Sequence, residues 1–156
     1  MTPAPILIFT WGNPSRGDDA LGPALFDMLE AHKRDTDELQ EVDVLTDFQL
    51  QIEHAVDFEG RDCIIFVDAS IDCEEPFEMQ PLEVQRDDTF TTHAMSPASV
   101  LSVYKQVNGC EPPPAFLLVI RAYEFGLGRE MGEQAKANLQ KAYHYILKCY
   151  LPNMSQ

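Results

Sequence analysis

The chain has 156 residues, with 26 acids against 11 bases for a formal charge of -15, and 45% of its residues are apolar. That length suits one domain, spanning residues 1–156, able to bury roughly two-thirds of the surface of its unfolded form. The composition excludes a disordered or fibrous chain, and so acidic a protein repels phosphate backbones and anionic lipid, so neither nucleic acid nor membrane is an expected partner.

The opening Met1-Thr2-Pro3-Ala4-Pro5 has no basic region, and the apolar run behind it is too short for a signal peptide. No stretch approaches the roughly 20 apolar residues that span a bilayer, so a soluble, cytoplasmic protein is expected. The cysteines at 63, 73, 110 and 149 form no C-x-x-C pair. They read as reduced thiols serving as small hydrophobes, Cys63 in an apolar run and Cys149 on a helix stripe.

Ile6-Leu7-Ile8-Phe9, followed by the turn-forming Trp11-Gly12-Asn13-Pro14, has the pattern of a buried strand. Leu21, Leu25, Met28 and Leu29 then recur at helical spacing, with Asp18 and Asp19 at the N-terminal end, where free backbone N–H groups favour carboxylates. Val42 to Leu45 predicts a second strand and Gln49 to Phe58 a short helix. Cys63-Ile64-Ile65-Phe66-Val67 is apolar throughout and stopped by Asp68, as in the middle of a covered sheet. Phe77 to Val84 alternates only roughly and contains Pro81, which suits an edge strand.

Ser96-Pro97 supplies an N-cap and a first-turn proline for a helix carrying Val100, Leu101, Val103, Tyr104 and Val107 and ending at Gly109. After the stiff connector Glu111-Pro112-Pro113-Pro114, Ala115 to Ile120 reads as a buried strand. Met131, Ala135, Leu139, Ala142, Ile146 and Cys149 put one apolar stripe on a long last helix. No internal repeat is present. Strands alternating with helices predict a three-layer α/β/α sandwich around a mostly parallel, twisted central sheet.

In such sheets ligands bind at the carboxyl ends of the strands. Asp19 follows the first strand, Asp68 ends the most apolar one, and His93 lies just ahead of the Ser96 cap, so the three are expected at one rim. Two carboxylates and an imidazole suit a borderline divalent metal. Each also has an ordinary structural reading: a charge at a helix start, a turn residue, a loop histidine.

Other enzyme signatures are excluded on their mechanics. The glycines around Gly12 do not fit G-x-G-x-x-G, and two acids at the helix start repel a pyrophosphate, which disfavours a nucleotide or flavin binder on a doubly wound sheet. P-loop, serine-elbow and H-E-x-x-H patterns are missing. His54 reads as a surface residue, and His32 and His144 as helix residues that are solvated or packed.

Gly12-Asn13, then Asp18-Asp19-Ala20-Leu21-Gly22, resembles the opening motif of the nickel-iron hydrogenase maturation endopeptidases: glycine-asparagine, four residues, aspartate, a second acid, two residues and glycine. Cys63 to Ala69 resembles that family's second motif, an apolar strand running into Asp-Ala. His93, with Val100-Leu101 downstream, resembles its third. The spacings agree over nearly the whole chain.

The resemblance implies a protease that removes the C-terminal extension of a hydrogenase large-subunit precursor after nickel insertion, with Asp19, Asp68 and His93 contacting nickel that the precursor supplies. Asp19 stands where some members carry glutamate. Where many relatives have Gly-Gly after the second strand, this chain has Asp47-Phe48-Gln49-Leu50, a loop expected to read the substrate. Arg121 to Gly128 resembles the branch serving soluble, NAD-linked hydrogenases. Water is the expected nucleophile, the metal acting as gate or Lewis acid and either carboxylate as general base. A monomer is expected. The alternative is a nickel-dependent binding module that checks the precursor without cutting it.

Overall fold

Successive residues of a strand point to opposite faces, so a strand apolar at every position must be covered on both sides. The first and third strands are built this way, and their alternation separates two cores. In the computed structural model, which describes residues 3–84 and 95–150, Leu7, Phe9, Ile64 and Phe66 pack on one face and Ile8, Ile65 and Val67 on the other.

The strands are β1 (Ile6–Trp11), β2 (Val42–Asp47), β3 (Cys63–Ser70), β4 (Phe77–Leu82) and β5 (Ala115–Arg121), and the helices are α1 (Leu21–Asp35), α2 (Pro97–Asn108) and α3 (Glu133–Tyr150). They form one sheet in the order β2-β1-β3-β5-β4, parallel except for β4, which runs antiparallel to β5 at the edge. This is the expected three-layer arrangement. Pro81, which has no N–H to give, sits on that edge strand, where one side of the ladder needs none.

One core is sealed by α1 and α3. Leu21, Leu25 and Leu29 recur every fourth residue and are fully buried, each contributing roughly 2 kcal/mol of apolar burial. On the other face α2 packs with a 3-10 segment, Ile52–Phe58, that replaces the short helix expected from Gln49. Ser96 caps α2 through its side chain, which accepts from Ser99 N–H at 3.1 Å, and Gly109 closes it in the left-handed region.

Four local expectations are corrected. Asp68 does not stop β3: it pairs with Val119, and the strand runs on to Ser70 against Arg121. The stripe of α3 ends at Ile146, leaving Cys149 exposed, and Val107 of α2 is 77% exposed rather than in the core. Cys110 is exposed as well, so burial accounts for Cys73 but not for every thiol.

Candidate active site

The chain leaves β1 for β2 through α1 on one face, and leaves β2 for β3 through the 3-10 segment on the other. β1 and β3 are neighbours, so their carboxyl ends flank the point where the connections part, which is where an open α/β sheet leaves a crevice. Asp19 follows β1 and Asp68 lies near the end of β3.

The loop from Gly12 to Ala20 is folded back tightly enough to need its glycines. A β-carbon at Gly12, whose φ is +149°, would overlap the carbonyl oxygen of Asp19. One at Gly22 would overlap the carbonyl oxygen of Trp11, because the first turn of α1 lies directly on the end of β1. This close approach explains the glycines of the opening motif and fixes where Asp19 stands.

The two adjacent acids of that motif have different lives. Asp18 is 2% exposed, and its carboxylate accepts three backbone N–H groups from the segment after β5: Tyr123 at 2.7 Å, Glu124 at 3.1 Å and Gly132 at 2.9 Å. It also donates its own N–H to the Glu124 carbonyl at 2.8 Å. Asp19 is half-buried, and one of its oxygens accepts the Asn13 N–H at 2.8 Å. Both lie in a 3-10 turn, Gly17–Ala20, ahead of α1. Asp18 is therefore a clasp between two loops and not the helix-start charge that its position suggested.

Asp68 accepts the N–H of Ala69 at 2.8 Å. Burial pushes its pKa up to about 6; the Ala69 N–H opposes the shift and the negative charge of Asp19 adds to it. Among the described residues, the second oxygen of each of these two carboxylates accepts no hydrogen bond. A pair of this kind can share a cation, or take a proton from water near neutral pH.

Phe66, two residues before Asp68 and so on the same face of β3, belongs to an aromatic cluster on the α2 side. Trp11 lies 6.1 Å from the ring of Phe66 and 6.3 Å from that of Phe9. His54 packs on Phe9 at 4.4 Å, accepts the Gln51 N–H on Nδ1 at 2.8 Å, and so carries its proton on Nε2, which meets Asp47 at 3.0 Å. The expected surface histidine is thus a fixed part of the loop after β2. Met95, ahead of α2, donates its N–H to Leu50 of the same loop at 3.3 Å.

No family model matches the sequence and no curated protein matches it, but solved structures match the fold. The NiFe hydrogenase maturation protease HycI from Thermococcus kodakarensis is 23% identical with a TM-score of 0.71, over 93% of this chain and 91% of that one. The hydrogenase maturating endopeptidase HybD from E. coli is 20% identical with a TM-score of 0.69, over 92% and 90%. The hydrogenase 2 maturation peptidase from a Thaumarchaeota archaeon is 21% identical with a TM-score of 0.63, over 92% and 96%. The chain has the fold of the hydrogenase maturation proteases.

At such identities the likeness is one of fold, and the site stands on its own geometry. On this maturation-protease fold Asp19, in the turn after β1, and Asp68, near the end of β3, lie toward the same edge of the sheet. His93 lies outside the described residues. Among the described residues no cluster of three or more His, Cys, Asp or Glu side chains is placed to hold a metal ion, and no helix is long and apolar enough to cross a membrane. Sequence reasoning missed the clasp of Asp18 and the Asp47–His54 pair. The first had a signal in the doubled acid, of which only one can face the rim; the second had none, because Asp47 ends a strand and His54 belongs to a separate 3-10 segment seven residues on.

Proposed function

We propose that the chain is an endopeptidase that removes the C-terminal extension of a nickel-iron hydrogenase large-subunit precursor once nickel has been inserted. The observation that carries this reading is that Asp19, in the turn that follows β1, and Asp68, near the end of the neighbouring strand β3, are close enough for one charge to raise the other's pKa. The likeness of fold to solved proteins named as a NiFe hydrogenase maturation protease and a hydrogenase maturating endopeptidase supports a processing peptidase.

In this proposal the nickel is cargo of the client, held there by thiolates, and Asp19, Asp68 and His93 engage it to dock the scissile bond in one register. Two anionic oxygens and one imidazole nitrogen are donors that suit a borderline ion. Asp68 takes a proton from the attacking water, the water oxygen bonds to the carbonyl carbon, and the carbon–nitrogen bond breaks as the proton passes to the departing amine. Phe66, on the same face of β3 as Asp68, and Trp11 packed on it give Asp68 an apolar flank. The enzyme acts as a monomer in the cytoplasm and needs no nucleotide or flavin.

The test is incubation with nickel-loaded precursor and with the same precursor lacking nickel. A small mass loss is expected in the first alone, and is expected to vanish with His93→Ala. Binding of the loaded precursor without any mass loss would instead identify a checkpoint module.

A further inference from the structure

Among the described residues, the side of the molecule formed by α2 and the 3-10 segment carries exposed apolar side chains. Ile52 is 47% exposed, Val56 79% and Val107 77%, three large apolar side chains on one groove, and Phe48, ahead of the 3-10 segment, is 68% exposed. Between the 3-10 segment and α2 lies a groove of about 300 Å³, lined by Ile52, Ala55, Val56, Val103 and Val107 with Glu59 at its edge. The seven-residue 3-10 segment is roughly 14 Å long, and Phe48, ahead of it, follows β2 at the rim that holds Asp19 and Asp68. The stretch from Phe48 to Val56 therefore starts beside the candidate site and leads away from it.

Its charge is one-sided. Residues 47–60 hold Asp47, Glu53, Asp57 and Glu59 and no lysine or arginine. Among the described residues, the cations that border this stretch are occupied: Arg61 is nearly buried against Asp43 at 2.5 Å, and Lys105 on α2 pairs with Glu111 at 2.6 Å. A second copy of this chain would set four acids against four, on two molecules each of charge -15, and anionic lipid or nucleic acid is repelled for the same reason. Apolar side chains bordered by acids fit a protein segment that carries apolar side chains bordered by bases.

We infer that this groove docks a basic amphipathic segment of the client precursor, separate from the tail that reaches Asp19 and Asp68. The inference rests on the proposed function for the identity of the client. It gives the enzyme a grip on the body of its substrate, which a site reading only a metal and a scissile bond lacks.

The experiment measures the Kd for the nickel-free large-subunit precursor of the same organism with wild type, Val56→Glu, Val107→Glu and Asp68→Asn. Val56 and Val107 are exposed, so both variants fold, as a thermal melt within about 2 °C of wild type confirms. Each glutamate is expected to raise Kd by roughly 10-fold or more, with kcat/KM for the nickel-loaded precursor falling by the same factor, and added salt is expected to weaken wild-type binding. Asp68→Asn is expected to keep the wild-type Kd while cleavage is lost. An unchanged Kd in both glutamate variants overturns the inference, as does a wild-type dimer that they dissociate. If wild type binds the precursor through this groove but never cuts it, the proposed function fails while the docking surface stands.

Discussion

The loops after β1 and after β2 leave the sheet side by side, yet they are held in opposite ways. The first is bolted to distant backbone. Gly12 donates to Asp47, Gly17 to Arg129 and Asp18 to Glu124, Gly128 donates to Ser15, and the Asp18 carboxylate collects three further N–H groups. The second is held mainly by its own neighbours, with fewer distant ties: Asp47 accepts the Phe48 N–H at 2.7 Å and meets His54, Leu50 accepts a single N–H from Met95, His54 packs on Phe9, and Phe48 itself stands in solvent. A loop that must place a carboxylate to within fractions of an ångström needs the first construction, whereas one that meets a variable partner can use the second.

Paired substitutions in the first loop break this comparison most sharply. Asp19→Asn is expected to lower precursor cleavage by roughly 1,000-fold, since a neutral amide neither holds a cation nor balances its charge, and to leave thermal unfolding within about 2 °C of wild type. Asp18→Asn, one residue away, is expected to act on the fold. Its amide can accept on one atom only, so at least one N–H of Tyr123, Glu124 or Gly132 loses its partner, at a cost of roughly 3 kcal/mol and a melting temperature lower by about 6–12 °C. Calorimetry beside the cleavage assay reads both. A stable Asp18→Asn with an unstable Asp19→Asn would reverse the roles assigned to the two acids.

Asp68 gives the next effect, through pH. Its folded-state value of about 6 lies above its ordinary 3.8, so ionisation opposes folding: the penalty is absent below about pH 4, grows as pH rises, and is complete above about 6. Asp68→Asn, which cannot ionise, is expected to be more stable than wild type by roughly 1–3 kcal/mol at pH 8 and to lose that advantage by pH 4. Cleavage runs the other way. If Asp68 must be ionised to act, the wild-type rate is expected to fall about tenfold per unit below pH 6. Asp19→Asn removes the neighbouring negative charge and is expected to lower the Asp68 titration point, which NMR of the carboxyl carbon can follow.

Much of the fold was legible because burial writes periodicity into sequence: the unbroken apolar run of β3, the leucines of α1, and Ser96-Pro97 with Gly109 bracketing α2. Asp19 and Asp68 were legible as rim residues because an apolar strand leads toward each of them. The clasp of Asp18 was not, since its partners lie 105, 106 and 114 residues away and are backbone groups, which carry no residue-type signature. Nor was the extension of β3 past Asp68, because a carboxylate that satisfies the Ala69 N–H from inside a strand looks in sequence like one that ends it. The exposure of Val107 and Cys149 depends on how far neighbouring elements reach, and helical spacing does not record that.

The smallest effect tests the second loop. In His54→Ala the Gln51 N–H loses its acceptor, Asp47 loses its neighbour and Phe9 loses a ring at 4.4 Å, but both polar partners are near solvent and can be rehydrated. The expected cost is therefore only about 1 kcal/mol. Because the Asp19–Asp68 pair is fixed by β1, β3 and the first loop, Asp68 is expected to keep its titration point in this variant. Hydrogen exchange is expected to speed up at Phe48 and Gln51 and to stay unchanged at Tyr123 and Glu124. Faster exchange at those two amides would show that the loops share one source of order, and the difference between them would then be of degree only.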